Sequence, residues 1–381
     1  MTERIPISIY IHIPFCVQKC RYCDFLSSAK SEDKRSSYIL ALCDEISQDI
    51  NTDRYIVHTV FIGGGTPSIL EVSDIEKILC KLKDKYDFIA RPEITIECNP
   101  GTLDVEKLLG YKGIGINRIS MGAQSFNDDE LKLLGRIHSA DDIKKSVEDA
   151  KNAGFSNINL DLISSIPYQT EEKFKKTLKA ALDLDCAHYS VYSLIVEPGT
   201  WMYENQGKLD FPSEETECAI DDATKVMLTN KGYRHYEISN YAKEGYECRH
   251  NLTYWQRGMY RGYGLGAASL LIDENGNEFR FSAEQKMDDY IKDSIKTIKL
   301  RDKCEEFRVL SEADIRAEYM FLGLRLTEGI PIANYKKYYK SLIDKHIKEE
   351  LCRLYDRGGK EYYSLTEKGL KLANYVMSDY C

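Results

Sequence analysis

Short apolar runs alternate with charged, helix-forming stretches along roughly the first 200 residues. The runs are rich in Ile, Val and Tyr, and most are apolar on both faces, which is typical of strands buried in a parallel sheet. They lie at residues 8–13, 58–63, 94–98, 118–122, 158–163 and 189–196. Helical spacing is found at residues 37–50, 72–85, 140–153, 171–184 and 214–230. Six strand–helix units predict an α/β fold, a partial (β/α)6 TIM-like barrel, with an open doubly wound sheet as the alternative.

The pattern changes after about residue 235. Residues 235–266 are rich in Tyr, Gly and Arg and lack a clear period, which predicts an irregular, partly buried segment. Helical spacing then returns and ends in a Tyr-rich run and an amphipathic helix, which predicts a small, mostly helical, winged-helix-like module. We therefore predict three parts: the partial barrel at 1–235, the irregular aromatic-rich segment at 236–300 and the C-terminal module at 301–381.

The charge balance narrows the range of partners. The chain has 52 basic and 61 acidic residues and a formal net charge of −9. A broad nucleic-acid surface needs a basic field, so we expect no nucleic-acid partner. No apolar run approaches the roughly 20 residues of a membrane span, and the N-terminus lacks the features of a signal peptide. We expect a cytoplasmic protein without a membrane span, and we leave peripheral membrane contact and oligomerisation open.

Three of the twelve cysteines form one compact motif directly after the first predicted strand. Cys16, Cys20 and Cys23 have the spacing C-x3-C-x2-C, and thiolates are the ligands that iron–sulfur clusters prefer. Three ligands leave the fourth iron of a [4Fe–4S] cluster open to a chelator such as the amino and carboxylate groups of S-adenosylmethionine (SAM). The alternative is a zinc site, for which His12 or Asp24 would supply the fourth ligand.

Glycine and polar residues follow the next predicted strands. A Gly-rich stretch at 63–67 follows the second strand, Glu97 ends the third, Gln124 follows the fourth and Asp161 lies in the fifth. Glycine lets the backbone approach a ligand and present its N–H groups. Glu97 lies in a predicted buried strand, and a buried carboxylate needs a partner because burying an unpaired charge is costly. The partner is either a ligand or Arg118. Because the carboxyl ends of the strands in a βα fold meet at one edge, these motifs predict one ligand pocket beside the cysteines.

The segment from Tyr10 to Phe25, YIHIPFCVQKCRYCDF, is a longer signature around the cysteines. It resembles the oxygen-independent coproporphyrinogen III oxidase-like family of radical SAM proteins. Further motifs of that family follow in order along nearly the whole chain, at residues 61–68, 97–100, 118–126, 134–138, 159–162, 192–199 and 250–255. The resemblance implies a radical SAM barrel with a [4Fe–4S] cluster on Cys16, Cys20 and Cys23 and with bound SAM.

The resemblance also implies which residues contact SAM. Oxidase members of the family can bind two SAM molecules near the cysteine motif. Taken alone, Gln124, Arg136 and Asp161 would each more often be a satisfied surface or capping residue. The family positions correspond in this chain to Tyr10, Tyr22, Gly64, Gly65, Thr66, Glu97, Gln124, Arg136 and Asp161.

Two branches of the family, the oxidases and the heme chaperones, share this cofactor core. Oxidases have a fourth cysteine two residues after the third, and this chain has Phe25 at that position. Oxidases also have a long segment before the cluster, whereas this chain has fifteen residues before Cys16. Residues 250–255, HNLTYW, match the HNxxYW motif of the chaperone branch. The resemblance favours a heme chaperone and leaves coproporphyrinogen III oxidase as the alternative, so whether the chain is an enzyme stays open.

His250 is the expected heme contact, because a neutral imidazole is a common axial ligand of heme iron. Cys248 is a rival thiolate ligand, and a hydrogen-bonded core histidine is the alternative for His250. Two nearby sets of side chains are expected to stack on a porphyrin or to meet its propionates. These are Tyr254, Trp255, Tyr260 and Tyr263 for stacking, and Arg249, Arg257 and Arg261 for the propionates.

Two short stretches depart from the chaperone branch. Ser165 and Tyr168 stand where the family has glycine, and Ala268 stands where the family has histidine. We expect these changes to affect a second ligand site or its substrate, and not the cluster. The expected partners are heme or another porphyrin and, for a chaperone, a heme-acceptor protein.

Overall fold

The computed structural model describes residues 4–29, 32–293 and 307–381. Its strands are β1 Ile5–Ile13, β2 Tyr55–Gly64, β3 Asp87–Cys98, β4 Arg118–Gln124, β5 Ile158–Ser164, β6 His188–Ser193, β7 Arg234–Glu237, β8 Asn240–Ala242, β9 Met259–Tyr263, β10 Ala268–Ile272, β11 Glu278–Ser282, β12 Arg308–Val309, β13 Ile330–Pro331, β14 Cys352–Arg357 and β15 Lys360–Leu365. Its α-helices are α1 Arg35–Gln48, α2 Val72–Lys85, α3 Val105–Gly113, α4 Asp128–Leu134, α5 Ala140–Asn152, α6 Glu171–Asp183, α7 Trp201–Asn205, α8 Glu214–Asn230, α9 Arg249–Trp255, α10 Met287–Asp293, α11 Glu312–Gly323, α12 Lys340–Lys348, α13 Glu367–Lys371 and α14 Ala373–Ser378.

Twelve of these strands form one open sheet in the order β12-β11-β10-β9-β1-β2-β3-β4-β5-β6-β8-β7. The six predicted strands are β1–β6, which pair in parallel in sequence order. The predicted helices are α1, α2, α5, α6 and α8, and the last three begin at Ser or Thr caps that accept a backbone N–H from the first turn. The predicted fold class, a partial barrel that does not close, is confirmed.

The prediction of an irregular segment is wrong for residues 236–293, and residues 294–300 lie outside the described part of the chain. Residues 236–293 contribute strands to the main sheet, and β9 pairs in parallel with β1 as a seventh parallel strand. The predicted boundary between residues 235 and 236 falls inside β7. Strands of three to five residues are too short to show a period in the sequence, which explains the error. The predicted boundary between residues 300 and 301 lies outside the described residues.

The prediction that the strands are apolar on both faces is also wrong. One face packs beneath the helices, whereas the inner face carries buried polar side chains: Ser8, Thr59, Glu93, Thr95, Arg118, Asn159 and His188. Hydrogen bonds join several of these, such as Thr59 to Ser8 at 2.7 Å and His188 to Asn159 at 2.6 Å. Helix α9 lies across the amino-terminal half of this face, where Glu93 accepts the backbone N–H groups of Arg249 and His250.

The C-terminal module has a hydrophobic core of its own. Helices α11–α14 surround a three-stranded antiparallel sheet in which β14 and β15 form a hairpin, in agreement with the predicted winged-helix-like module. Arg257, next to α9, joins the module to the main sheet through ion pairs with Glu278 at 2.5 Å and Glu318 at 3.0 Å. Within the described ranges, no helix has the length and apolarity needed to cross a membrane.

A candidate cofactor cavity at the carboxyl ends of the strands

A cavity of about 480 Å³ opens where β2–β6 end, between these strands and the cysteine loop. Its position follows from the parallel array, which brings all the strand ends to one edge. All of the predicted site residues line it except Tyr10 and His250. The residues brought together are Cys16, Cys20, Tyr22, Cys23, Gly64, Gly65, Thr66, Glu97, Gln124, Arg136 and Asp161.

The cysteine loop is fixed to the barrel at several points. The backbone N–H of Cys16 donates to the carbonyl of Ser28 at 3.2 Å, and that of Arg21 donates to the carbonyl of Leu134 at 3.0 Å. The ring of His12 bonds the carbonyl of Leu26 at 2.8 Å and the hydroxyl of Tyr10 at 2.9 Å. The loop is thereby held with Cys16, Cys20 and Cys23 half-buried at the cavity.

The three thiols fit a cluster better than a single metal ion. Among the residues that the structure describes, no three His, Cys, Asp or Glu side chains converge on one metal position. Zinc would bind its thiolates at about 2.3 Å, which requires such convergence, whereas in a [4Fe–4S] cluster each cysteine bonds a different iron. His12, the nearby candidate for a fourth zinc ligand, already uses both ring nitrogens.

The glycines of the second motif allow the close approach of two backbones. A Cβ on Gly65 would lie 2.5 Å from the carbonyl oxygen of Phe15 and 3.0 Å from the Cys16 sulfur. Gly64 has a φ of +111°, and a Cβ there would lie 2.6 Å from the ring of His12. Only glycine fits at these positions, so the stretch forms a cradle beside the cysteine loop.

Two carboxylates lie within the cavity. Glu97 accepts the backbone N–H of Gly64 at 3.0 Å, and Asp161 accepts hydrogen bonds from Ser120 at 3.2 Å and Asn159 at 2.8 Å. Burial, followed by the charge of Asp161, raises the pKa of Glu97 to about 8. Burial also raises the pKa of Asp161. A cationic ligand would relieve this unfavourable burial of negative charge, and SAM brings a sulfonium and an ammonium group.

Arg136 is a half-buried cation of the cavity wall. It donates to the Cys20 sulfur at 3.2 Å, to Oδ1 of Asn99 at 2.5 Å and to the carbonyl of Gly122 at 2.8 Å. Gln124 also lines the cavity. It has a φ of +67°, a costly conformation for a residue with a side chain, and it accepts a hydrogen bond from Tyr192 at 3.4 Å.

Three further residues, Asn99, Ser120 and Tyr192, line the cavity and were not singled out from the sequence. A signal existed for two of them: Asn99 follows Glu97 by two residues at the end of β3, and Ser120 lies two residues from Arg118 in the fourth predicted strand. Tyr192 lies in the sixth predicted strand, in which no residue had been singled out.

Tyr10 and His250 lie below the cavity, on the inner face of the sheet. Tyr10 bonds His12 and stacks on Phe61, with ring centroids 6.4 Å apart. His250 is 1% exposed, and its ring nitrogens bond the hydroxyls of Thr59 at 2.7 Å and Tyr254 at 2.9 Å. The structure therefore presents His250 as a hydrogen-bonded core histidine, with no free nitrogen for iron.

The other groups expected around heme are also engaged within the protein. Cys248 is fully buried and its thiol contacts Glu93. The ring of Tyr254 packs edge-on against His250, Trp255 and Tyr260. The three arginines bond other groups. Arg249 donates to two backbone carbonyls. Arg257 pairs with Glu278 and Glu318, and Arg261 pairs with Asp49 and Glu45. The expectation that they meet propionates is not supported by this arrangement.

Comparisons with known proteins agree with this geometry. A sequence profile described as the Radical SAM superfamily matches residues 10–181. The heme chaperone HemW of Haemophilus influenzae is 36% identical, over 99% of this chain and 98% of that protein. The heme chaperone HemW of Bacillus subtilis is 37% identical, over 97% of both chains. Among solved structures, the radical SAM enzyme coproporphyrinogen III oxidase (HemN) from Escherichia coli superimposes with a TM-score of 0.82, at 24% identity, over 99% of this chain and 90% of that one.

Proposed function

The chain belongs to the HemW family of radical SAM proteins, and from this membership we propose that it is a heme chaperone, which binds heme and delivers it to acceptor proteins. The proposal is carried by the similarity to heme chaperones, at more than a third of positions, over nearly the full length of both chains. The [4Fe–4S] cluster and SAM that the superfamily uses match the cysteine loop and the carboxylate-lined cavity.

We assign the cavity residues by their chemistry. Cys16, Cys20 and Cys23 hold the cluster, which with SAM supplies one-electron chemistry. Glu97 and Asp161 meet the positive groups and hydroxyls of SAM. The other proposed SAM contacts are the backbone at Gly64 and Gly65 and the side chains of Tyr22, Thr66, Gln124 and Arg136. Tyr10 acts on this site through His12, which it bonds.

We place the porphyrin at the rim of the cavity. Phe25 and Ile195 both line the cavity, and they are 61% and 69% exposed. Large apolar side chains left open at a cavity mouth fit a flat apolar ligand. Lys19 lines the same mouth, so a cation is available for a propionate.

Heme titration of the reconstituted protein tests this placement. Phe25→Ser and Ile195→Ser should each weaken heme binding about tenfold or more, because each removes an apolar contact of about 1.5–3 kcal/mol. Leu40→Ser, at an exposed apolar residue of α1, is the matched control and should bind as the wild type does. Unchanged binding in both rim variants, together with loss of binding in His250→Ala, would move the site to α9. Delivery is tested by transfer of heme to a heme-free cytochrome, followed by its Soret band.

The alternative function is oxidation of coproporphyrinogen III to protoporphyrinogen IX. The fold does not separate the two functions, because the oxidase has the same fold. The observation that favours the chaperone is Phe25, an exposed phenylalanine at the position of the fourth cysteine of the oxidases. Incubation with coproporphyrinogen III, SAM and a reductant without oxygen should give no product. Protoporphyrinogen IX formed over many turnovers would establish the enzyme instead.

The remaining assignments complete the proposal. We propose that the protein works in the cytoplasm, a reducing compartment in which the proposed cluster ligands Cys16, Cys20 and Cys23 stay reduced. The recipient would be a heme-acceptor protein, and self-association is a further proposal. We also propose that the C-terminal module, which has its own core, is a separate domain.

A further inference from the structure

Asn99 joins two cysteines of the loop through a chain of hydrogen bonds. Its Nδ2 lies 2.9 Å from Oγ1 of Thr66, and that hydroxyl lies 3.7 Å from the sulfur of Cys16. Its Oδ1 lies 2.5 Å from Nη2 of Arg136, and Nη1 of the same guanidinium lies 3.2 Å from the sulfur of Cys20. We call this chain, which runs from Cys16 through Thr66, Asn99 and Arg136 to Cys20, the sulfur relay.

The direction of every hydrogen bond in the sulfur relay is determined. A guanidinium can only donate, so the amide oxygen of Asn99 must face Arg136. The amide nitrogen then faces Thr66, and because an amide N–H₂ can only donate, Oγ1 of Thr66 must accept. The hydroxyl hydrogen of Thr66 is thereby left to point at the Cys16 sulfur. One asparagine thus directs a donor to each of two cysteine sulfurs.

The relay is shielded from water. Thr66 is buried, and Asn99 and Arg136 are only partly exposed, at the cavity wall. Hydrogen bonds in such surroundings act more strongly on a charge than they do in water. The charge concerned is that of the cluster, which becomes more negative on reduction. Donors to the ligand sulfurs stabilise the more negative state and raise the reduction potential.

We propose that Asn99 is a positioning residue that sets the reduction potential of the [4Fe–4S] cluster by orienting Thr66 and Arg136 toward the sulfurs of Cys16 and Cys20. This inference rests on the part of the proposed function that puts a cluster on the three cysteines, and it does not depend on heme delivery. Asn99 therefore controls how readily the protein accepts the electron that its SAM chemistry requires.

Redox titration of the reconstituted protein without SAM, followed by the EPR signal of the reduced cluster, tests the inference. Asn99→Leu removes both amide contacts at nearly constant volume and should shift the midpoint potential to a more negative value. Asn99→Asp should shift it further, since a carboxylate at this position accepts the Thr66 hydrogen and turns it away from Cys16. Thr66→Val removes the same hydrogen and should also shift the potential negatively.

A double variant separates the relay from a simple charge effect. If Asn99 acts through Thr66, the shift caused by Asn99→Asp must be smaller in a Thr66→Val background, because no hydroxyl remains to be turned. An equal shift in both backgrounds would overturn the relay. Asn117→Leu is the matched control. Asn117 precedes β4 and bonds the backbone of Pro92 and Ile94 within β3, away from the carboxyl end of the strands, so its loss should leave the potential unchanged.

Iron analysis and the EPR line shape keep the outcomes distinct. A wild-type protein that binds no iron would refute the cluster itself. Loaded variants with the wild-type potential would refute only the role of Asn99. If Asn99→Leu fails to take up iron, Thr66→Val decides the question alone, and an unchanged potential in that variant rejects the relay.

Discussion

The backbone N–H of Gly64 donates a hydrogen bond to Oε2 of Glu97 at 3.0 Å. This bond joins two motifs that lie 33 residues apart in sequence, the glycine stretch after β2 and the acidic end of β3. It also uses one lone pair of a carboxylate whose pKa is raised by burial. The second oxygen is left for a ligand in the cavity.

The first prediction concerns SAM binding at Glu97. Glu97→Ala should weaken SAM binding by at least tenfold, since a charge-assisted hydrogen bond contributes about 1.5–3 kcal/mol. Titration calorimetry of the iron-loaded protein measures this, and iron content should stay at the wild-type level. Gly64→Val would be a poor probe, because its Cβ would strike His12 and displace the cysteine loop. Unchanged affinity in Glu97→Ala would remove the carboxylate from the site.

The second prediction concerns the cluster ligands. Alanine at Cys16, Cys20 or Cys23 should abolish the visible absorbance and the reduced-state EPR signal, because each thiolate holds one iron. Cys80→Ala, at an exposed cysteine of α2, is the control and should load iron normally. The assignment fails if Cys80 proves necessary and Cys20 does not.

The third prediction concerns backbone strain in the loop after β5. Ser165 has a φ of +60°, and the buried hydroxyl of its side chain has no hydrogen-bond partner among the residues that the structure describes. Ser165→Gly should therefore raise the free energy of unfolding by about 1 kcal/mol. Ser164→Gly, at a neighbour in regular strand conformation, should lower it by roughly 0.5–1 kcal/mol. Urea unfolding of the wild type and both variants measures these free energies. If Ser165→Gly does not raise the free energy of unfolding, the loop is unstrained.

The fourth prediction concerns His250 and acid stability. Burial, followed by the charge of Arg118, lowers the pKa of His250 to about 3. Between about pH 6.5 and 3 the unfolded chain binds a proton that the folded chain excludes, so this contribution to stability is lost as the pH falls. His250→Gln should make the unfolding free energy less dependent on pH in that window, by up to about 1.4 kcal/mol per pH unit.

The control for His250 is His58→Gln, at a half-buried histidine whose pKa burial also lowers. That variant should follow the wild-type pH profile more closely than His250→Gln does. Equal profiles for wild type and His250→Gln, measured by chemical unfolding at several pH values, would show that the ring is accessible to protons and to ligands.

Much of the cavity could be predicted from the sequence, because its residues occupy strand ends. The order of β1–β6 and the rule that parallel strands end at one edge were enough to bring Cys16, Gly64, Glu97 and Asp161 together. The cysteine spacing favoured an iron–sulfur cluster independently of the fold, with a zinc site as the alternative. Three local features bore on which branch of the family the chain resembles: Phe25, the short segment before Cys16 and the HNLTYW stretch at residues 250–255.

The role of the segment around α9 could not be read from the sequence. His250 with its aromatic neighbours has the composition of a heme site, and it has equally the composition of a polar core. The difference depends on Thr59 and Tyr254, which occupy both ring nitrogens. Thr59 lies 191 residues from His250 along the chain, so no local pattern could reveal this contact.

By itself, then, the sequence determined the parallel strand order, the compact cysteine motif and the acids at the strand ends, because periodicity and spacing are local properties of a chain. The tertiary structure alone decided that β9 joins the sheet beside β1, that His250 is enclosed beneath the cavity, and that Asn99 connects Thr66 to Arg136. Each of these depends on groups from distant segments that meet only in the folded chain. Burial and the fixed directions of hydrogen bonds then select the partner of each group.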